Sequence, residues 1–176
     1  FFERHRIFTA NDIRRMNDVR MCITIIISVI STYFNRDEEI EYFLGEYNDE
    51  FPDQDNIEQK LLRDFDLIDN LKISEKSRIW KKSDFLTFIV ELNRILDEGV
   101  SIQLSKLSDI INIFDRIDQS NLQDDGAARE LVSMVEGIEV DDLDVYFTAA
   151  LQASNDRINR NRRAEVISKL ILAAAN

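Results

Sequence analysis

The segment FPDQDNIEQK sets Pro52 and Asp53 ahead of Glu58 and Lys60, and a Pro-Asp followed by Glu-x-Lys is an arrangement that can cut nucleic acid. In that chemistry the carboxylates hold magnesium and the lysine steadies the attacking water. Such sites draw the two elements from neighbouring strands far apart in the chain. Here Asp53 and Glu58 lie five residues apart and Glu58 and Lys60 fall in a predicted helix, so a capped helix start explains them better. The same stretch fails as a calcium loop, because Asp53, Asp55 and Ile57 are followed by Glu58 where the tight turn needs glycine. Asp141, Asp142 and Asp144 read as acids in the first turn of a helix, where the backbone dipole favours negative charge.

Other reactive types are sparse. His5 is the one histidine and Cys22 the one cysteine, the latter inside an apolar run, so no cysteine–histidine pair, cysteine metal site or internal disulfide is expected. The chain has no glycine-rich phosphate loop. Two arginines stand out. A helix starting near Asp156 would bury Ala164, Ile167, Leu170, Ile171 and Ala174, and Arg160 and Arg163 project onto that same face. Arginines there require partners. The internal candidates are helix C-terminal carbonyls or the carboxylates between Asp37 and Asp69, where 13 acidic side chains face two basic ones; carboxylates are favoured. The alternative is a phosphate or a carboxylate of a partner domain, for which Arg14 and Arg15 are further candidate contacts.

Positioning these residues falls to helices. Four Gly and one Pro in 176 residues are too few for many short strands, and 44% hydrophobic residues with 11 Phe can fill a sizeable core. Ile40, Phe43, Leu44 and Tyr47 follow helical spacing. Phe85, Phe88, Ile89, Leu92 and Leu96 do so too, as do Leu104, Leu107, Ile110, Ile111, Phe114 and Ile117. Ser83 and Asp84 mark the start of the second stripe and Gly99 its end, while Asp55 and Glu58 resemble a capping box ahead of Ile57. The pattern predicts an all-α bundle of about eight helices near 11–34, 36–47, 56–71, 84–97, 103–117, 127–135, 142–153 and 157–174. The polar stretch 118–126 is the one candidate subdomain boundary in an otherwise single domain.

The apolar run MCITIIISVI, residues 21–30, is too short to cross a bilayer, which takes roughly 20 apolar residues. Ile13, Met16, Val19 and Ile23 lead into it at helical spacing, so it is expected to be the buried central helix, with Ile23, Ile26, Ile27 and Ile30 in the core. A strand is the rival. A net charge of −12 argues against general affinity for nucleic acid, although arginines crowd both ends of the chain. Because the chain opens on Phe1 rather than Met, it is expected to be a C-terminal fragment of a longer protein.

The string IFTANDIRRMNDVRMCITIIISVI resembles the opening of the helical region that follows the ParB-like N-terminal domain in a bacterial family of unknown function, found in GmrSD-type modification-dependent restriction systems. FLGEYNDEFP, RIWKKSDFLTFIVEL and YFTAALQASNDRINRNRRAEVISKLI resemble later parts of that region in order, the last through Arg160 and Arg163. The likeness covers most of 2–97 and 143–172. It implies a phage-defence parent whose ParB-like domain uses nucleotide to sense or restrict foreign DNA, sometimes with an HNH nuclease. Neither the Asp-Gly-Gln-Gln-Arg type motif of that N-terminal domain nor an HNH pattern is present in this chain.

The expectation is therefore a cytoplasmic, non-catalytic accessory domain, with no catalytic residue, metal or cofactor of its own. It would dock on the ParB-like domain and relay its state. DNA would be met through the full-length protein, no membrane is expected, and a homo-oligomer is open. The alternatives are an acidic adaptor for a basic partner protein and direct DNA contact through the terminal arginines.

Overall fold

A computed structural model describes residues 1–35 and 39–176. Among them the fold is all-α, with nine helices and no strand. They are α1 (Ala10–Arg14), α2 (Asn17–Ile30), α3 (Ile40–Glu46), α4 (Gln54–Asn70), α5 (Lys82–Asp97), α6 (Leu104–Asp115), α7 (Gly126–Met134), α8 (Val140–Leu151) and α9 (Arg157–Leu172), with a 3-10 turn at Arg78–Trp80. None of the described helices is long and apolar enough to cross a membrane.

The expected helix 11–34 is two helices. Thr9 and Asp12 form a capping box that starts α1, and the chain turns at Met16, whose φ of 55° is left-handed. Asp12 explains the break: its carboxylate is held inward by Lys82 Nζ at 2.6 Å and Asn17 Nδ2 at 3.1 Å, which a straight helix would not permit. α2 also stops four residues early. Beyond Ile30 the chain leaves the helix and buries Tyr33 and Phe34. Residues 36–38, where the next helix was expected to begin, lie outside the described residues.

The centre of the bundle is α5, not the apolar run. Every residue from Asp84 to Asn93 is buried, and α5 packs against α2, α4, α9 and the 3-10 turn. Gly99, at φ 81°, ends it: Gly99 N–H donates to Leu96 O and Val100 N–H to Ile95 O, a Schellman closure that needs a left-handed residue. α2 is a helix, but a flanking one. Ile25 and Ile27 are buried, whereas Ile23, Ile26 and Ile30 are half-buried. Ile13, Met16 and Val19, expected to lead into the core, are 52%, 63% and 44% exposed.

Two expected caps do not form. α4 begins at Gln54, ahead of Asp55, so Asp55 sits in the first turn and no side chain caps the helix. α5 begins at Lys82, and Asp84 lies inside it with its side chain in the core. Within the polar stretch 118–126, Leu122 is buried in the same apolar cluster that runs from Ile7 to Ala174. Pairing of Ile102 with Ala175 ties the end of the chain to the α5–α6 connection, with Gln103 N–H donating to Ala174 O.

The polar side of α5 is the surprise of an apparently amphipathic helix, for it is buried as well. Asp84 accepts from Arg78 at 3.1 Å and from the Tyr146 hydroxyl at 2.8 Å. Thr87 accepts from Arg163 Nε, Glu91 from Tyr33 and Arg94, and Asn93 donates to Asp64 at 2.6 Å. The Arg78 guanidinium sits 5.1, 5.0 and 4.3 Å from the ring centres of Phe114, Tyr146 and Phe147. Burial beside carboxylates pushes the phenols of Tyr33 and Tyr146 well above their ordinary range, so both remain hydrogen-bond donors.

These placements make two predictions. Ile25→Asp should abolish the cooperative melt, since an unpaired buried charge costs several kcal/mol, while Ile26→Asp on the half-buried side should retain a cooperative transition. Calorimetry on the two variants separates a flanking α2 from a central one. The second concerns Glu91, whose carboxyl is raised by burial, with Arg94 and the Tyr33 hydroxyl offsetting only part. A raised folded pKa contributes stability below the unfolded value of about 4.3 and loses it as pH rises through the folded value. Urea melts should therefore show Glu91→Gln gaining on the parent between acidic and neutral pH, and a gap that stays constant would contradict the assignment.

A cationic cavity beside the start of α5

Where α2, α5 and the α8–α9 loop meet, they line an open cavity of about 430 Å³. α2 contributes Asn17, Arg20, Met21 and Thr24, and the first turn of α5 contributes Lys82, Ser83 and Leu86. Ser154 and Asn155 come from the loop, and Arg160 from α9. Three of these described lining residues are cations and none is an acid, in a chain where 34 acidic residues outnumber 22 basic ones.

Each cation is placed by its own neighbours. Arg160 is 3% exposed, with its guanidinium carbon 4.7 Å from the centre of the Phe34 ring. Lys82 holds Asp12, and that ammonium together with the Thr9 hydroxyl and amide keeps the Asp12 carboxyl well below the usual range. Arg20, on the exposed rim, leaves its backbone oxygen to the Thr24 hydroxyl at 2.8 Å. The start of α5 has no side-chain cap, so its first amides lack an intrahelical partner.

Arg163 is fully buried but lies behind the wall. Its Nε donates to Thr87 Oγ1 at 3.1 Å, Nη1 to Ala149 O at 2.9 Å and Nη2 to Ser154 O at 3.0 Å. The partners are internal, as expected, but they are carbonyls and a hydroxyl rather than carboxylates. Its place one turn beyond Arg160 puts it against the C-terminal end of α8, where carbonyls lack helical partners, while acids of the 39–69 segment pair elsewhere, Asp69 with Arg4 and His5 and Asp64 with Arg63. Arg163 thereby holds the loop carrying Ser154 and Asn155. Ala153 in that loop has φ 46°, so left-handed residues flank the cavity on two sides, with Met16 on the other. Such strain persists only where surrounding contacts enforce it.

The remaining candidates are scattered. Arg14 and Arg15 are exposed on and just after α1 and do not line the cavity. His5 stacks on Trp80 at 4.1 Å and bonds Asp69, Cys22 is half-buried, and Asp53 and Glu58 are exposed. No group of three or more potential metal ligands occurs among the described residues. Sequence reasoning singles out Arg160 but not Arg20 or Lys82. The available signal is the pair Lys82-Ser83 at a helix start, a combination suited to anions.

Arg163→Ala should cost this chain roughly 3 to 5 kcal/mol, since it leaves buried carbonyls unsatisfied and opens a void. Denaturant unfolding measures it, and Arg163→Lys, which can reach only some of the acceptors, should fall between. A melt unchanged by Arg163→Ala would remove the arginine from the frame of the loop. Comparison of the chain with protein-family models, with curated proteins and with solved structures finds no match.

Proposed function

We propose that this chain is a non-catalytic helical accessory domain of a bacterial, cytoplasmic restriction or phage-defence protein, docking on a nucleotide-using, DNA-sensing ParB-like domain and relaying state to or from it. The observation that carries this reading is the exposed apolar group Ile13, Met16 and Val19, with Arg14, Arg15 and Arg20 among them. It falls inside the string that bears the family resemblance. Apolar side chains and arginine are the composition of a protein interface, and a basic rim selects a partner of opposite charge. The relay has a physical route, since Asn17, Met21 and Thr24 on another side of α2 line the cationic cavity. A displacement of α2 at the docking face would alter that cavity.

One observation favours a second reading. α3 exposes Tyr42 and Leu44, 65% and 52%, among the exposed acids Glu41, Glu46, Asp49 and Glu50, which suits an acidic adaptor holding a basic protein. In the full-length protein, Met16→Asp with Val19→Asp should lower nucleotide-coupled activity at least roughly tenfold, as truncating interface anchors does. The melt of this chain should move by less than about 1 kcal/mol, because the sites are exposed. Unaltered coupling would sink the docking reading. Strongly salt-dependent DNA binding by the chain alone would instead support direct contact through Arg14, Arg15, Arg157 and Arg162.

A further inference from the structure

We propose that the acidic, aromatic surface of α3 receives the end of α8 and the start of α9 of a second copy of this chain, so that the protein associates with itself through two unlike patches. The inference uses none of Ile13, Met16 and Val19 and so goes beyond the docking reading. On one side, no residue of α3 is buried, and Tyr42 and Leu44 are 65% and 52% exposed. Glu41, Glu46, Asp49 and Glu50 lie on and just after the same helix, all exposed, and from residue 39 to residue 59 the chain holds no lysine or arginine. None of those four carboxylates is in an ion pair with a described residue.

On the other side, Leu151 at the end of α8 and Ile158 in the first turn of α9 are 74% and 63% exposed. Arg157 precedes Ile158 and Arg162 lies one turn beyond it, both exposed and neither in an ion pair with a described residue. Ile158 and Arg157, with Asn35, Asp156 and Asn161, line an open groove of about 560 Å³. Tyrosine and arginine are the residue types that most often anchor an interface, and a groove of this kind takes a projecting ring. Tyr42 is prepared for it: its ring meets Phe43 edge-on with centres 5.5 Å apart, which leaves less freedom to lose on binding. The occupant is a second copy because each patch supplies what the other lacks. An acidic patch with two exposed apolar side chains matches a basic patch with two of its own, and opposite charge steers such surfaces together. Every copy carries both patches. With so few residues a side, the contact is small and reversible.

The test is analytical ultracentrifugation of the 176-residue chain over a concentration series at low and at high salt. The average mass should rise with concentration, and less steeply at high salt, where the charges are screened. Tyr42→Ala and Ile158→Asp, at sites exposed enough to spare the fold, should each weaken association at least roughly tenfold, with thermal melts confirming that the variants are folded. Glu41→Lys with Glu46→Lys in one sample, and Arg157→Glu with Arg162→Glu in another, should each give monomers. Mixing those two samples should restore association, because the reversed patch of each then meets an opposite charge on the other. Met16→Asp with Val19→Asp should leave association unaltered, which keeps a failure here distinct from a failure of the docking reading. A chain that stays monomeric at every concentration overturns the proposal. So do association that survives Tyr42→Ala and Ile158→Asp together, a mixture no more associated than its components, and association lost with Met16→Asp and Val19→Asp.

Discussion

A helix whose middle is buried on all sides must still satisfy the polar side chains it buries, and α5 buries four of them. Asp84, Thr87, Glu91 and Asn93 each bond a different neighbour: the 3-10 turn with α8, then α9, the segment after α2, and α4. Leaving one such group unsatisfied costs about 1 to 3 kcal/mol, so four together are comparable with the whole stability of a domain, about 5 to 15 kcal/mol. Apolar packing around α5 would tolerate small rotations and slides. The polar contacts do not, and they select one register among the arrangements that the apolar residues alone would allow.

The irregular parts of the chain follow from that constraint. The run Ser31 to Asn35 is not helical because Tyr33 must reach Glu91 and Phe34 must lie beneath Arg160. The turn at Met16 is left-handed because Asp12 is drawn back to Lys82 at the start of α5. The α8–α9 loop is fixed because Arg163, itself bound to Thr87, grips Ser154. Each of these three segments is thus attached to α5 or its contacts, and the cavity lies beside two of them, the turn before Asn17 and the loop carrying Ser154. Its walls are held by the same bonds that set the register of the bundle.

Charge is divided in a related way. Exposed acids cluster on α3 and the start of α4, while Arg20, Lys82 and Arg160 line one cavity from α2, α5 and α9. The acidic balance of the whole chain is thus unevenly spread, and net charge is a poor guide to the composition of any one surface. Arg163 shows the converse. An arginine with three acceptors and no carboxylate among them is a structural clamp, because its planar fork can satisfy several carbonyl oxygens at once.

Helical spacing and the scarcity of glycine and proline were enough to determine an all-α bundle and most helix positions, because those signals are local. The burial of Arg160 and Arg163 was legible for the same reason, since both share a face with Ile167 and Leu170. What surrounds a helix is not local. The run 21–30 is more apolar than α5, yet α5 is central, because burial of Asp84, Glu91 and Asn93 depends on partners as many as 62 residues away. A pattern that counts polar residues assigns such a helix a solvent face. Only the tertiary structure supplied the donors and acceptors that make burial affordable, and only it brought Arg20 and Lys82 to Arg160, residues whose separation in sequence carries no trace of their meeting.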